Sequence, residues 1–291
     1  MFLSGFDIVY LDLLSIPADV LDKIKPFDVL YHLAAFGETE SKNNHLNNVN
    51  DIGTQMLLGA LSRRLKGTRV VFTSTLAAVD RKFPDNTPLS EDYPCHPRTA
   101  YGISKLNAEA NVKNSADAMG YEWIIMRLPT IIGSGYRPGG LMEAIVESLQ
   151  RNTLFARFNW PGRIEVVHVN DVAEILVRTG TTPVPINTLF HLSSGIAPTL
   201  DDLIRQTAQI INIKRKRIAA PYFFWRLINK IIWIPHLFEV LPFKLRLLFW
   251  RLSLIVTDGF VGNGAFLSRV IPYKFMKLQD MLRETYQEHI K

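Results

Sequence analysis

The chain has 291 residues, 47% apolar and 21% charged, with a formal net charge of +6. That composition excludes a disordered or low-complexity protein and allows one large domain or two modest ones around a true core. The single cysteine, Cys95, excludes an internal disulfide and suits a reducing, cytoplasmic compartment.

At the front, MFLSGFDIVYLDLL is interrupted by Asp7 and Asp12 and has no basic start or small-residue cleavage site, so no signal peptide is expected. Residues 6–13 read as a short apolar strand, residues 18–24 as a helix after Pro17, and residues 27–35 as a second strand. Residues 47–65 repeat apolar side chains at helical spacing. Residues 68–75 read as a third strand, residues 101–119 as a long helix, and the stretch 121–133 as a fourth strand ending at Pro129. The strand runs are almost continuously apolar, as parallel strands covered on both faces are. The alternating order predicts an open α/β sheet with its function at the carboxyl ends of the strands. Those ends carry Asp12, His32 to Ala35, Thr73 to Thr75, and Pro129 with Thr130.

Further on, residues 140–152 read as a helix. Residues 164–180 read as a strand and a helix capped by Asn170 or Asp171. Residues 188–195 read as a strand, and Thr199 begins a helix. Helices dominate from Pro221. The pattern predicts a Rossmann-like domain over residues 1–180, with residues 134–162 as a substrate-side insertion. Residues 181–291 form a smaller, mostly helical substrate or lid domain. The glycine-rich stretch 133–140 does not follow the first strand of a βαβ unit, so it reads as a substrate loop rather than a phosphate cradle.

Tyr101 and Lys105 stand at i and i+4 of one helix and share a face. A neighbouring ammonium favours the phenolate, and such a tyrosine exchanges a proton with an alcohol or carbonyl. Thr73, Ser74 and Thr75 end a buried strand, where hydroxyls are costly to bury unpaired. One of them can hold a substrate oxygen beside Tyr101. His32 reads as a space-filling residue, His168 and Asp171 as helix caps and braces. Arg163 is a candidate for a nucleotide phosphate. No metal site is expected.

Together, TST (73–75) and YGISK (101–105) resemble the Ser/Thr and YxxxK set of the extended short-chain dehydrogenase/reductase superfamily, in its NAD-dependent epimerase/dehydratase group. VLYHLAA, NVNDIGTQMLLGA, RLPTIIG and VVHVNDVAEIL resemble further family segments in the family's order, across residues 6–200. The resemblance implies Tyr101 as acid/base, Lys105 as its partner and a nicotinamide-ribose ligand, and Thr75 as the hydroxyl, with Ser74 as rival. It implies Asp12 at the adenine and Leu33, Ala34 and Ala35 along the cofactor. Asn50 matches a family asparagine, and Pro129 and Thr130 lie near the carboxamide. The implied cofactor is NAD or NADP, with NAD preferred, and the implied partners are a sugar-nucleotide substrate and a homodimer through the two long helices.

The family's opening strand and G-x-x-G-x-x-G turn have no counterpart here, and roughly fifty residues of a βαβ unit are expected to be missing. Three explanations stand: a start assigned too late, a degenerate relative without turnover, or a site completed by a partner or a changed fold. Dinucleotide binding is correspondingly expected to be weak. A 3β-hydroxysteroid dehydrogenase-like enzyme on an apolar substrate and an inactive scaffold are the alternative readings.

Residues 214–256 hold nine Lys/Arg and one acidic residue, Glu239, amid many aromatic and aliphatic side chains. Arg226, Lys230, Lys244, Arg246 and Arg251, with Pro235 and Pro242, speak against a membrane span. Two readings remain: helices packing over the substrate cleft, or peripheral contact with a membrane surface. Nothing resembles a nucleic-acid-binding module.

Overall fold

The computed structural model describes residues 7–37, 45–80, 86–136, 138–232 and 242–289. Its elements begin with α1 (Ala18–Lys23), β1 (Val29–His32), α2 (His45–Asn50), α3 (Ile52–Leu65), β2 (Arg69–Thr75), α4 (Ala100–Met119) and β3 (Glu122–Leu128). Then come β4 (Thr130–Ile132), α5 (Leu141–Gln150), α6 (Leu154–Arg157), β5 (Val166–His168), α7 (Val169–Thr181) and β6 (Thr188–His191). Helices α8 (Leu200–Ile210), α9 (Tyr222–Ile232), α10 (Phe243–Val256), α11 (Ala265–Val270) and α12 (Leu278–Thr285) complete the series.

Strands β1, β2, β3 and β6 form a parallel sheet in the order β1-β2-β3-β6. Val70 and Phe72 pack beneath α3 and α4 with Leu58, Leu61, Ala108 and Val112. Val71, Ile124 and Met126 point the other way, onto Val172 and Ile175 of α7 and Leu267 of α11. Both faces are covered, which explains why the middles of these strands carry apolar residues at successive positions rather than at alternate ones. The result is a Rossmann-like parallel sheet flanked by helices, with a smaller, mostly helical C-terminal region.

A second, two-stranded sheet pairs β4 with β5. Its core joins Ile132 and Val166 to α5, α8 and α12. Helix α5 buries Met142, Ile145, Val146 and Leu149, the i, i+3, i+4, i+7 stripe of an amphipathic helix. The main sheet takes its last strand, β6, from beyond residue 180.

Three expectations are corrected. Residues 7–11 are not a strand; Ile8 and Tyr10 are exposed, and Asp12 lies in a turn closed by Ser15. Extended backbone without a ladder partner gains nothing from its β-branched residues. The helix predicted over 47–65 is two helices divided at Asp51. The fourth strand ends at Pro129, which lacks an N–H, as expected, and residues 130–132 beyond it form β4 in the second sheet. The cap of α7 is His168, whose Nδ1 accepts the Asn170 N–H at 3.3 Å, rather than Asn170 or Asp171. Part of the 214–256 segment, residues 233–241, lies outside the described residues.

Candidate active site

The first turn of α4 is fixed at both ends of its entry. Thr99 caps it, its Oγ1 accepting the Gly102 N–H at 3.0 Å. Gly102 itself lies against the chain after β2: a Cβ there would collide with the Ala77 carbonyl oxygen. The half-buried Tyr101 is therefore carried by a turn seated on the short 3-10 turn, Leu76–Ala78, that follows Thr75.

One helical turn on, Lys105 is only 2% exposed. Its Nζ lies 4.1 Å from the centre of the Phe72 ring on β2. Burial pulls its pKa down to about 7, against the opposing pull of Glu109. No hydrogen bond to this Nζ forms among the described residues.

The hydroxyls of β2 part company. Ser74 is buried and donates to Glu109 Oε1 at 2.5 Å. Thr73 donates toward the His32 carbonyl at 3.4 Å. Thr75 is only partly buried and accepts the Ala77 N–H at 3.2 Å. An accepting hydroxyl keeps its own proton for another partner.

Glu109 and Arg127 form a two-point ion pair, Nε to Oε1 at 2.9 Å and Nη2 to Oε2 at 2.7 Å. Both side chains are under 5% exposed. Arg127 Nη2 also reaches Cys95 Sγ at 3.3 Å. This group is absent from the sequence-derived site. Its one signal was spacing: Tyr101, Lys105 and Glu109 follow at i, i+4 and i+8.

At the end of β1, Leu33, Ala34, Ala35 and Phe36 are exposed. Asn50 shapes this stretch. Its Oδ1 accepts the Phe36 N–H at 2.8 Å, and its Nδ2 donates to the Phe36 carbonyl and to Ser104 Oγ, each at 3.0 Å. His32 is buried, bonded to Thr54 Oγ1 at 2.8 Å, and held near pKa 3 by burial and then by Lys105, so it stays neutral. Pro129 is buried and Thr130 half-buried at the start of β4. Asp12 is exposed, and its Oδ1 accepts the Leu14 N–H at 2.9 Å.

Arg163, a candidate phosphate ligand, is engaged by Asp258, with Nε to Oδ2 at 2.8 Å. Asp171 braces α7, accepting from Tyr273 Oη at 2.8 Å and from the Met276 N–H at 3.1 Å. A cavity of about 450 Å³ lies between Ser134 to Tyr136 and Glu284 to Glu288. Tyr101, Lys105 and Thr75 are not among the residues that line it.

A family model described as the NAD dependent epimerase/dehydratase family matches residues 4–188. The UDP-glucose 4-epimerase of Corynebacterium glutamicum is 30% identical over 204 residues, 63% of this chain and 61% of that protein. The chain spans 61–64% of the length of the curated relatives it matches. Among solved structures, RMD from Pseudomonas aeruginosa complexed with NADPH is 18% identical, with TM-score 0.73 over 97% of this chain and 87% of that one. UDP-glucuronic acid 4-epimerase from Bacillus cereus, in complex with UDP-glucuronic acid and NAD, is 18% identical, with TM-score 0.71 over 96% and 80%.

Proposed function

The chain belongs to the NAD dependent epimerase/dehydratase family, and on that premise we propose an NAD(P)-dependent oxidoreductase or epimerase acting at a secondary alcohol of a sugar nucleotide. The observation that carries this reading is Lys105. Lys105 is 2% exposed, its ammonium rests on the Phe72 ring, and it has no hydrogen-bond acceptor among the described residues; a bound molecule that accepts from it offsets the cost of burying it. The substrate class follows the C. glutamicum epimerase and the B. cereus complex with UDP-glucuronic acid. The cofactor class follows the relatives held with NADPH and NAD.

The residues present fit the nicotinamide and adenine ends of such a cofactor, and none of them is assigned to its pyrophosphate. The exposed Leu33, Ala34 and Ala35 at the end of β1 offer backbone and small side chains. Asn50 holds that stretch through Phe36. Pro129 and Thr130 would border the carboxamide, and the exposed carboxylate of Asp12 the adenine end. When bound, the nicotinamide supplies the hydride acceptor.

The remaining steps belong to the chain. Tyr101 removes the hydroxyl proton of the substrate. Thr75 donates its free O–H to the same oxygen. Lys105, when protonated, favours the phenolate of Tyr101 and donates to the ribose. Ser74, with its proton committed to Glu109, serves the ion pair instead. The exposed apolar side chains Ile52 and Met56 on α3 and Ile103 on α4 suit a homodimer through these two helices.

The test is incubation of the chain with NAD or NADP and, in turn, UDP-glucose and UDP-glucuronic acid, with product sugars resolved by NMR. Epimerised sugar or accumulation of reduced nicotinamide is expected. No conversion of either sugar with either cofactor overturns the reading.

A further inference from the structure

Helix α9 is apolar on two opposite faces. Trp225 and Ile232 face the protein, in a cluster with Val256 of α10 and partly buried Phe158, Trp160 and Ile228. Phe223, Leu227 and Ile231 follow at i, i+4 and i+8, so they form one stripe along the opposite, outer face. They are 71%, 56% and 43% exposed, and Tyr222 and Phe224 widen the stripe at 74% and 38%. Arg226 and Lys230, also one turn apart and exposed, run as a parallel row along its edge. The neighbouring α10 adds Leu245 and Leu248, 42% and 50% exposed, and the exposed Arg251.

The charge pattern decides what covers this surface. Helices α9 and α10 together hold five basic residues, Arg226, Lys230, Lys244, Arg246 and Arg251, and no acidic one. A second copy of the chain seated by two-fold symmetry would set like charges against like. An anionic lipid surface matches both features at once. Rings and aliphatic chains enter the acyl boundary while guanidinium and ammonium groups remain among the headgroup phosphates. Helix α9 has 11 residues, about 16 Å at the usual rise, suited to lying in that plane. No helix among the described residues is long and apolar enough to cross a membrane.

Not all of the basic cluster at 214–217 belongs to this face. Arg215 and Arg217 both pair with Asp201, and Arg215 also donates to the carbonyls of Ala156 and Phe158. They staple the chain to α8 and leave the exposed Lys214 and Lys216 as the outward charges.

We propose that the outer face of α9 and α10 docks the protein, in plane, on an anionic membrane surface. The dock is joined to the candidate site. Trp250 of α10 donates its Nε1–H to Asp80 Oδ2 at 3.0 Å, and Asp80 also accepts two hydrogen bonds from Arg98 at 2.8 and 2.9 Å. Asp80 follows Thr75 by five residues and Arg98 precedes Tyr101 by three. The helix that meets the lipid is thereby fastened to both chain segments that carry the proposed chemistry. The docking surface itself does not depend on what that chemistry is.

The experiment is co-sedimentation of the full chain with vesicles of phosphatidylcholine alone or mixed with phosphatidylglycerol. Binding to the anionic vesicles is expected, weakened by salt and much lower on phosphatidylcholine alone. Arg226→Gln with Lys230→Gln is expected to weaken it roughly thirtyfold, at about 1 kcal/mol per basic residue. Phe223→Ser with Leu227→Ser is expected to reduce it at least as far, without a change in melting temperature. Absence of binding by the unaltered chain, or undiminished binding by the Phe223→Ser, Leu227→Ser variant, overturns the proposal. So does a dimer in sedimentation velocity that this variant abolishes while vesicles bind neither form, since a second copy is then the occupant.

Discussion

Helix α4 buries Lys105 and Glu109, whereas helix α9 exposes Phe223 and Leu227. Each reverses the usual partition of charged and apolar side chains, in opposite senses. In α4 the reversal is stabilised from within: Glu109 is satisfied by Arg127 and Ser74, while Lys105 has no hydrogen-bond acceptor among the described residues. In α9 nothing within the described chain covers the stripe. The contrast separates two kinds of unmet demand. A buried cation without a hydrogen-bond acceptor among the described residues points to a small ligand inside, and an exposed apolar stripe with a basic edge points to a surface outside.

The comparison breaks most readily at Glu109. Glu109→Gln leaves Arg127 buried without its counter-ion and is expected to destabilise the fold by about 3–5 kcal/mol in denaturant titration. A loss under about 1 kcal/mol would mean that solvent reaches the pair. The two hydroxyls of β2 come next. Thr75→Val is expected to lower kcat about 10²–10³-fold with little change in stability. Ser74→Ala is expected to act chiefly on stability, by about 1.5–3 kcal/mol for a lost bond to a charged group. Reversed results would exchange their roles.

Lys105 gives a smaller effect with a defined sign. Its folded pKa, about 7, lies below the ordinary 10.5, so between those values the unfolded chain holds a proton that the folded chain has released. Stability from this group therefore falls as pH drops through that window, and the full penalty applies below about 7. Lys105→Met is expected to abolish turnover while raising stability by about 1–2 kcal/mol near pH 6, a gain that disappears toward pH ~10. Thermal melts across that range check it, and a loss of stability near pH 6 would contradict it. At the other end, Phe223→Ser is expected to change stability by no more than about 0.5 kcal/mol, because its side chain already meets solvent. A larger loss would mean that the stripe is packed.

Much of the architecture was legible because its signals are long and repetitive. The strand at 69–75 and the helix at 100–119 follow from an unbroken apolar run and a sustained helical pattern. Thr199 follows from cap chemistry, and its Oγ1 accepts the Asp202 N–H. Residues 7–11 misled, since an apolar run states nothing about whether a neighbouring strand exists to pair with it. Pro129 marked a break but not that β4 would change sheets. Thr75 and Ser74 could not be separated in sequence, because alternation tells that they face opposite ways and only the packed sheet tells which way leads to α4. Arg127 was hidden for the same reason: it lies 18 residues from Glu109 and meets it only when β3 and α4 are assembled.

The most direct measurement of the central claim is the turnover of Tyr101→Phe, taken with its melting temperature. Removal of one phenol oxygen is expected to leave the melt unchanged and to lower kcat by at least about 10², the usual contribution of a positioned acid/base. A Tyr101→Phe protein that turns over at the rate of the unaltered chain would contradict the assignment of Tyr101, and with it the role given to Lys105 and Thr75.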